Sequence, residues 1–149
     1  MDKFTYSGPA EIRHLNCRKE GPEEEKVLTV DVKFLCTTNA AMFDFFDDAL
    51  RFALYTDAGA VKNPALQPIG FSTTVMNCDL TILGRRYGSV EVSKFSLKPK
   101  DGHLVEMTFG ISIQPMADEV AQLAEFVADE VDILIEPQPE LDFGGRAAA

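Results

Sequence analysis

The sequence predicts an α+β fold, a single domain built on a curved antiparallel sheet of about six or seven strands with two helices. Three observations carry that prediction. Apolar and polar residues alternate with period two in several segments separated by Gly, Pro and Asp-Gly turn signals. Two other segments carry apolar residues at helical spacing instead. The chain has 149 residues, the size of one ordinary domain, and shows no internal repeat.

The elements follow in order. Residues 11–17, "EIRHLNC", form a weak strand, and "RKEGPEEEK" after it is a charged Gly-Pro turn. In "VLTVDVKFLC" (27–36), Leu28, Val30, Val32, Phe34 and Cys36 share one face, and Thr29, Asp31 and Lys33 the other. These segments make a hairpin. Residues 39–55, "NAAMFDFFDDALRFALY", repeat Met42, Phe46, Ala49, Leu50 and Ala53 at helical spacing behind a potential Asn39 N-cap. Phe43, Phe45, Phe52 and Leu54 widen that stripe. The helix should be buried on more than one side, across a curved sheet or in a barrel mouth. The stretch "TDAGAVKNPALQPIG" reads as a long surface loop, of a length that is often functional.

From Phe71 the pattern is β again. Met76, Cys78, Leu80 and Ile82 share a face, "GRRYG" is a turn, and Val90 and Val92 then alternate. The next apolar pair is Phe95 and Leu97, so the parity shifts near Ser93 and Lys94, as at a β-bulge. "KPKDG" is another turn. After it His103, Val105, Met107, Phe109, Ile111 and Ile113 take one face, with Leu104, Glu106, Thr108, Ser112 and Gln114 opposite. Pro115 ends that strand. "ADEVAQLAEFVADE" (117–130) sets Val120, Leu123, Ala124 and Val127 on one helical stripe. Asp118 and Glu119 suit the start of this helix, whereas Asp129 and Glu130 would crowd its negative end. "VDILIEP" is a final short strand. The globular domain is expected to span 1–137, with a flexible acidic Pro/Gly tail over 138–145 and an expression scar at 146–149.

Composition narrows the functional classes. A hydrophobic fraction of 46%, 26% charged residues and a net charge of −10 describe a soluble acidic protein. No apolar run approaches the length of a membrane span, and "MDKFTYSGPA" lacks a targeting segment, so a cytoplasmic location is expected. Cys17, Cys36 and Cys78 form no CxxC pair and are expected to be buried free thiols. His14 and Cys17 form an H-x-x-C pair that could join Cys36, Cys78 or His103, but no metal is expected. Asp44, Asp47 and Asp48 of "DFFDD" have the oxygen chemistry for a divalent cation, yet read as solvent-facing acids on a greasy helix. No G-x-S-x-G, phosphate loop or dinucleotide fingerprint is present, and both histidines fall in predicted strands. A non-enzymatic protein without cofactors is expected.

Against that acidic background, Arg85, Arg86, Tyr87, Lys94, Lys98 and Lys100 concentrate cations and an aromatic in one hairpin. Such a strip can grip a phosphate backbone and stack bases, so these residues are candidates for binding single-stranded nucleic acid. The arginines could equally fork onto carboxylates of a protein partner, or the strip could be a hairpin edge protected by lysines. The acids offer a complementary surface. Glu23, Glu24 and Glu25 at one turn, Glu125 and Asp129 near the second helix, and Glu140, Asp142 and Phe143 in the tail are candidates for binding a basic protein, by DNA mimicry or as an adaptor.

The tail "EPQPELDFGG" resembles the acidic C-terminal tip of bacterial and phage single-stranded DNA-binding proteins over Glu136 to Phe143. It departs from that tip in that two glycines follow Phe143 and the acidic run is reduced to Glu140 and Asp142. The resemblance implies docking on replication or repair proteins through carboxylates and an aromatic. The segment "VEMTFGISIQPMADEVAQLAEFVADEVDILIEP" is similar to small phage-encoded accessory proteins of DNA replication and recombination. The leading expectation is therefore a phage-type accessory protein that binds single-stranded nucleic acid or the machinery on it. The alternatives are an acidic inhibitor or adaptor of a basic host protein, or a virion assembly (tail) module that oligomerises through a sheet edge.

Overall fold

The alternating segments pair as antiparallel strands, and the computed structural model describes residues 3–139. The strands are β1 (Tyr6–Glu20), β2 (Val27–Asn39), β3 (Ile69–Phe71), β4 (Val75–Ile82), β5 (Arg85–Lys100), β6 (Leu104–Ile113) and β7 (Glu130–Pro137). Helices α1 (Phe43–Phe46) and α2 (Leu50–Leu54) follow a 3-10 turn at Ala40–Met42, and α3 (Ala117–Glu125) joins β6 to β7. The seven-stranded sheet runs β3-β5-β4-β7-β1-β2-β6. A further β5–β6 pairing closes it into a barrel, with β3 attached beside β5.

Closure explains the clean alternation. Between the bulges, alternate residues of the barrel strands point into an interior that side chains fill. Val30, Val32, Phe34 and Cys36 of β2 are buried, as are Val105, Met107, Phe109, Ile111 and Ile113 of β6. Cys78, Leu80 and Ile82 of β4 join them, with Val90, Val92, Phe95 and Leu97 of β5. Phe4 enters from the N-terminal segment and meets Phe95 edge-on at 5.1 Å and Phe109 at 6.1 Å. Each such fully buried side chain contributes about 1.5–3 kcal/mol of hydrophobic free energy.

Antiparallel order also sorts the connections. The β1–β2 turn, the β4–β5 turn and α3 gather at one barrel end. The 40–54 helical segment, the β5–β6 turn and the ends of the described chain gather at the other. Among the described residues no helix is long and apolar enough to cross a membrane.

Several expectations are corrected. The single helix over 39–55 is a 3-10 turn and two short helices, broken where Asp47 is extended (φ −162°, ψ 119°). Asn39 does cap the segment, accepting from Ala41 N–H at 2.7 Å. Asp47 then restarts the chain by accepting from Ala49 N–H at 2.9 Å. The break turns α2 outward, so Phe52 is 77% exposed rather than buried. Met76 leaves the predicted face because β4 is irregular between Val75 and Cys78, where Asn77 has φ 56°. His103 belongs to the β5–β6 turn and is exposed, with φ 57°. Helix α3 ends at Glu125, so Asp129 lies beyond it and Glu130 opens β7. Cys17 is exposed, while Cys36 and Cys78 are the buried thiols. The expected bulge is present, with a register shift between Ser93 and Ser96 and Lys94 at φ 58°.

Candidate functional site

The long strand β5 places every residue of the cationic strip. The chain enters it through a turn at Leu83 and Gly84, with φ of 49° and 77°, a hairpin connection whose twist matches the strands. The "GRRYG" turn is therefore corrected: Arg85, Arg86 and Tyr87 already lie in the strand, opposite Ile82, Thr81 and Leu80. Ile82 and Leu80 face the interior, so Arg85 and Tyr87 share their side of the strand, with Arg85 exposed at the barrel end, and Arg86 lies on the outer side with Thr81. The adjacent arginines lie on opposite faces.

Arg85 and Tyr87 meet α3 at the barrel end. Arg85 Nη1 is 2.8 Å from Glu119 Oε2, and Tyr87 O–H donates to Glu119 Oε1 at 3.1 Å. Glu119 also accepts from the Met116 N–H at 2.8 Å, closing the first turn of its own helix. That backbone bond, with Tyr87 and Arg85, holds the Glu119 carboxyl below its usual range. Burial and the bond to Glu119 push the Tyr87 phenol up to about 12. On the outer face, Arg86 Nε donates to Asp79 Oδ2 at 3.1 Å, and its Nη2 donates to the same oxygen. Asp79 is only 4% exposed, so this guanidinium neutralises a carboxylate that water scarcely reaches.

At the bulge and beyond it, β5 carries Lys94, Lys98 and Lys100 on the outside, where interior positions fall at Phe95 and Leu97. None of these lysines forms an ion pair among the described residues, although Lys98 stands opposite Glu106 in the β5–β6 ladder. His14, Lys33, Gly110 and Ser93 are successive partners across β1, β2, β6 and β5, forming one row over the barrel wall. Gly110 leaves a dip in that row: a Cβ there would lie 3.9 Å from Lys94 Cδ, so the lysine stem lies over the glycine. The resulting outer depression of about 510 Å³ is lined by His14, Asp31, Lys33, Lys94, Ser96 and Thr108. Asp31 is held by Arg18, Ser112 and Asn16, which with Arg18 foremost lower its carboxyl to about 2.

Sequence reasoning missed Lys33, Gly110, Asp79 and Glu119. A glycine inside a strictly alternating strand was the available signal for the dip. Nothing local signals that Asp79 and Glu119 hold the arginines, because those contacts cross between elements.

The acidic candidates among the described residues lie at the barrel end that carries α3. Glu23, Glu24 and Glu25 are exposed at the β1–β2 turn, and Glu125 and Asp129 are exposed at and beyond the end of α3. Glu140, Asp142 and Phe143 lie outside the described residues. Of "DFFDD", Asp44 pairs with Arg51 at 2.6 Å and Asp47 serves as a cap. No group of three or more His, Cys, Asp or Glu among the described residues is placed to hold a metal ion. The chain matches no family model, no curated protein and no solved structure.

Proposed function

We propose that this chain is a non-enzymatic binding protein that holds single-stranded nucleic acid on the outer face of β2, β5 and β6. The observation that carries this reading is the placement of Lys33, Lys94, Lys98 and Lys100 on that face, without ion pairs among the described residues, with Lys33 and Lys94 lining the Gly110 depression. Lysines without carboxylate partners can neutralise phosphates, whereas Arg85 and Arg86 are engaged by Glu119 and Asp79. The contact list therefore shifts from the arginines to the lysines. The acidic remainder of the surface repels a polyanion and confines it to this face. In this reading the protein is an accessory of DNA metabolism of the kind phages encode. Its free buried thiols Cys36 and Cys78 support a reducing, cytoplasmic setting.

The test is titration of a labelled single-stranded oligonucleotide at two salt concentrations. The triple change Lys94→Glu, Lys98→Glu, Lys100→Glu is expected to abolish binding at low salt. Single Lys→Ala changes should each reduce the salt slope by about 0.7. Binding that survives the triple change would overturn the assignment.

A second reading is favoured by one observation: Glu23, Glu24 and Glu25 are all exposed at the tip of the β1–β2 hairpin. In that case the acidic end engages a basic protein, and neutralising the three glutamates would weaken a stoichiometric complex while leaving oligonucleotide titrations unchanged.

A further inference from the structure

Barrel closure does not cover the whole of β1. Its outer edge pairs with β7 only from Tyr6 to Glu11. Ile12 closes that ladder, its N–H donating to Asp129 O at 3.1 Å and its carbonyl accepting from Ala128 N–H at 2.7 Å. From Arg13 to Glu20 the strand continues, paired with β2 alone. Its other edge has no strand beside it among the described residues, and Arg13, His14, Asn16, Cys17, Lys19 and Glu20 are exposed. An edge this long, without proline and with no helix or loop hydrogen-bonded to its backbone among the described residues, is a template for another strand.

We propose that this edge pairs with the same edge of a second copy, the two β1 strands running antiparallel about a two-fold axis at Cys17. Face, charge and the extent of the free edge set the register, since a centre at Leu15 would run Arg18 to Glu20 against Ala10 to Ile12, which β7 and its connection already hold. Leu15, Cys17 and Lys19 stand opposite Val32, Val30 and Leu28 on β2, and so share the inner face. His14, Asn16, Arg18 and Glu20 share the outer face with Lys33, Asp31, Thr29 and Val27. A two-fold axis perpendicular to the sheet keeps inner faces together only if it passes through a residue. Centred on Asn16, it sets Arg13 opposite Lys19. Centred on Arg18, it sets two guanidinium groups opposite each other. Centred on Cys17, it sets His14 opposite Glu20, Asn16 opposite Arg18 and Leu15 opposite Lys19, with no like charges facing. The pairing is isologous, so it closes at two copies and continues the barrel wall from one molecule to the next.

Sedimentation velocity on the full chain, from about 1 to about 100 µM, tests this directly. A monomer–dimer equilibrium is expected. His14→Glu, which places a second carboxylate opposite Glu20, should weaken it about tenfold, and adding Glu20→Lys should restore it. Diamide, which takes up the electrons and protons of two thiols as they join, should link the two Cys17 side chains. That linking should slow in parallel with His14→Glu. A monomer throughout the range, a dimer indifferent to His14→Glu, or growth into larger assemblies would overturn the proposal.

Discussion

At Glu119, one carboxylate ties a hairpin to a helix. It accepts from the Met116 N–H and from Tyr87 O–H, and it pairs with Arg85. Replacing Tyr87 with Phe keeps the ring in place and removes one bond, so denaturant unfolding should show a loss of about 0.5–1.5 kcal/mol. Asp79→Ala leaves Arg86, whose side chain is 58% exposed, to rehydrate, so denaturant unfolding should show only a small loss, with no gain in oligonucleotide affinity beyond one freed cation. Both Asp31 and Glu119 have carboxyls lowered by folding. A lowered carboxyl stabilises the fold above its unfolded pKa, and that stability is lost as pH falls through the folded value. Thermal melts should therefore show stability flat near neutrality and falling below about pH 4, with the Asp31 share disappearing toward pH 2. Serine at Ser112, which donates to Asp31 Oδ1, could not be read as a partner from sequence, because the bond spans β2 and β6.

Among the elements, the strands were the most legible, because a filled barrel imposes period two on every wall segment. The parity shift at Ser93 and Lys94 named the bulge from composition alone. Turn placement was less legible, and its consequence was large. Moving the β4–β5 turn from Arg85–Tyr87 to Leu83–Gly84 assigns each arginine to a face and separates the pair. The 39–55 segment defeated periodicity for a different reason: Asp47 competes for Ala49 N–H and breaks a stripe whose spacing continues on both sides. The α3–β7 connection carries its own prediction. Ala128 has φ 74° and is exposed, while its N–H bonds Ile12 O. Ala128→Gly relieves a left-handed conformation that costs an L-residue about 1–2 kcal/mol, against a glycine entropy cost of about 0.5–1 kcal/mol. The melting temperature should rise by a few degrees; a fall would mean that the Ala128 methyl group contributes packing.

Across the whole molecule, charge is distributed by element. The chain has a net charge of −10, with exposed glutamates at the β1–β2 tip and acids around α3. The lysines of β5 and Lys33 of β2 share an outer wall on which Asp31 is already satisfied by Arg18, Asn16 and Ser112. Composition made the cationic strip legible, but only the closed barrel decides which of its members are available. Fluorescence anisotropy of a labelled single-stranded oligonucleotide, titrated at low and at several-fold higher salt, tests this most directly. Binding that weakens steeply with salt, is lost with Lys94→Glu, Lys98→Glu and Lys100→Glu, and survives Arg86→Ala is the predicted result. The absence of binding at low salt, where phosphate neutralisation is strongest, would contradict it.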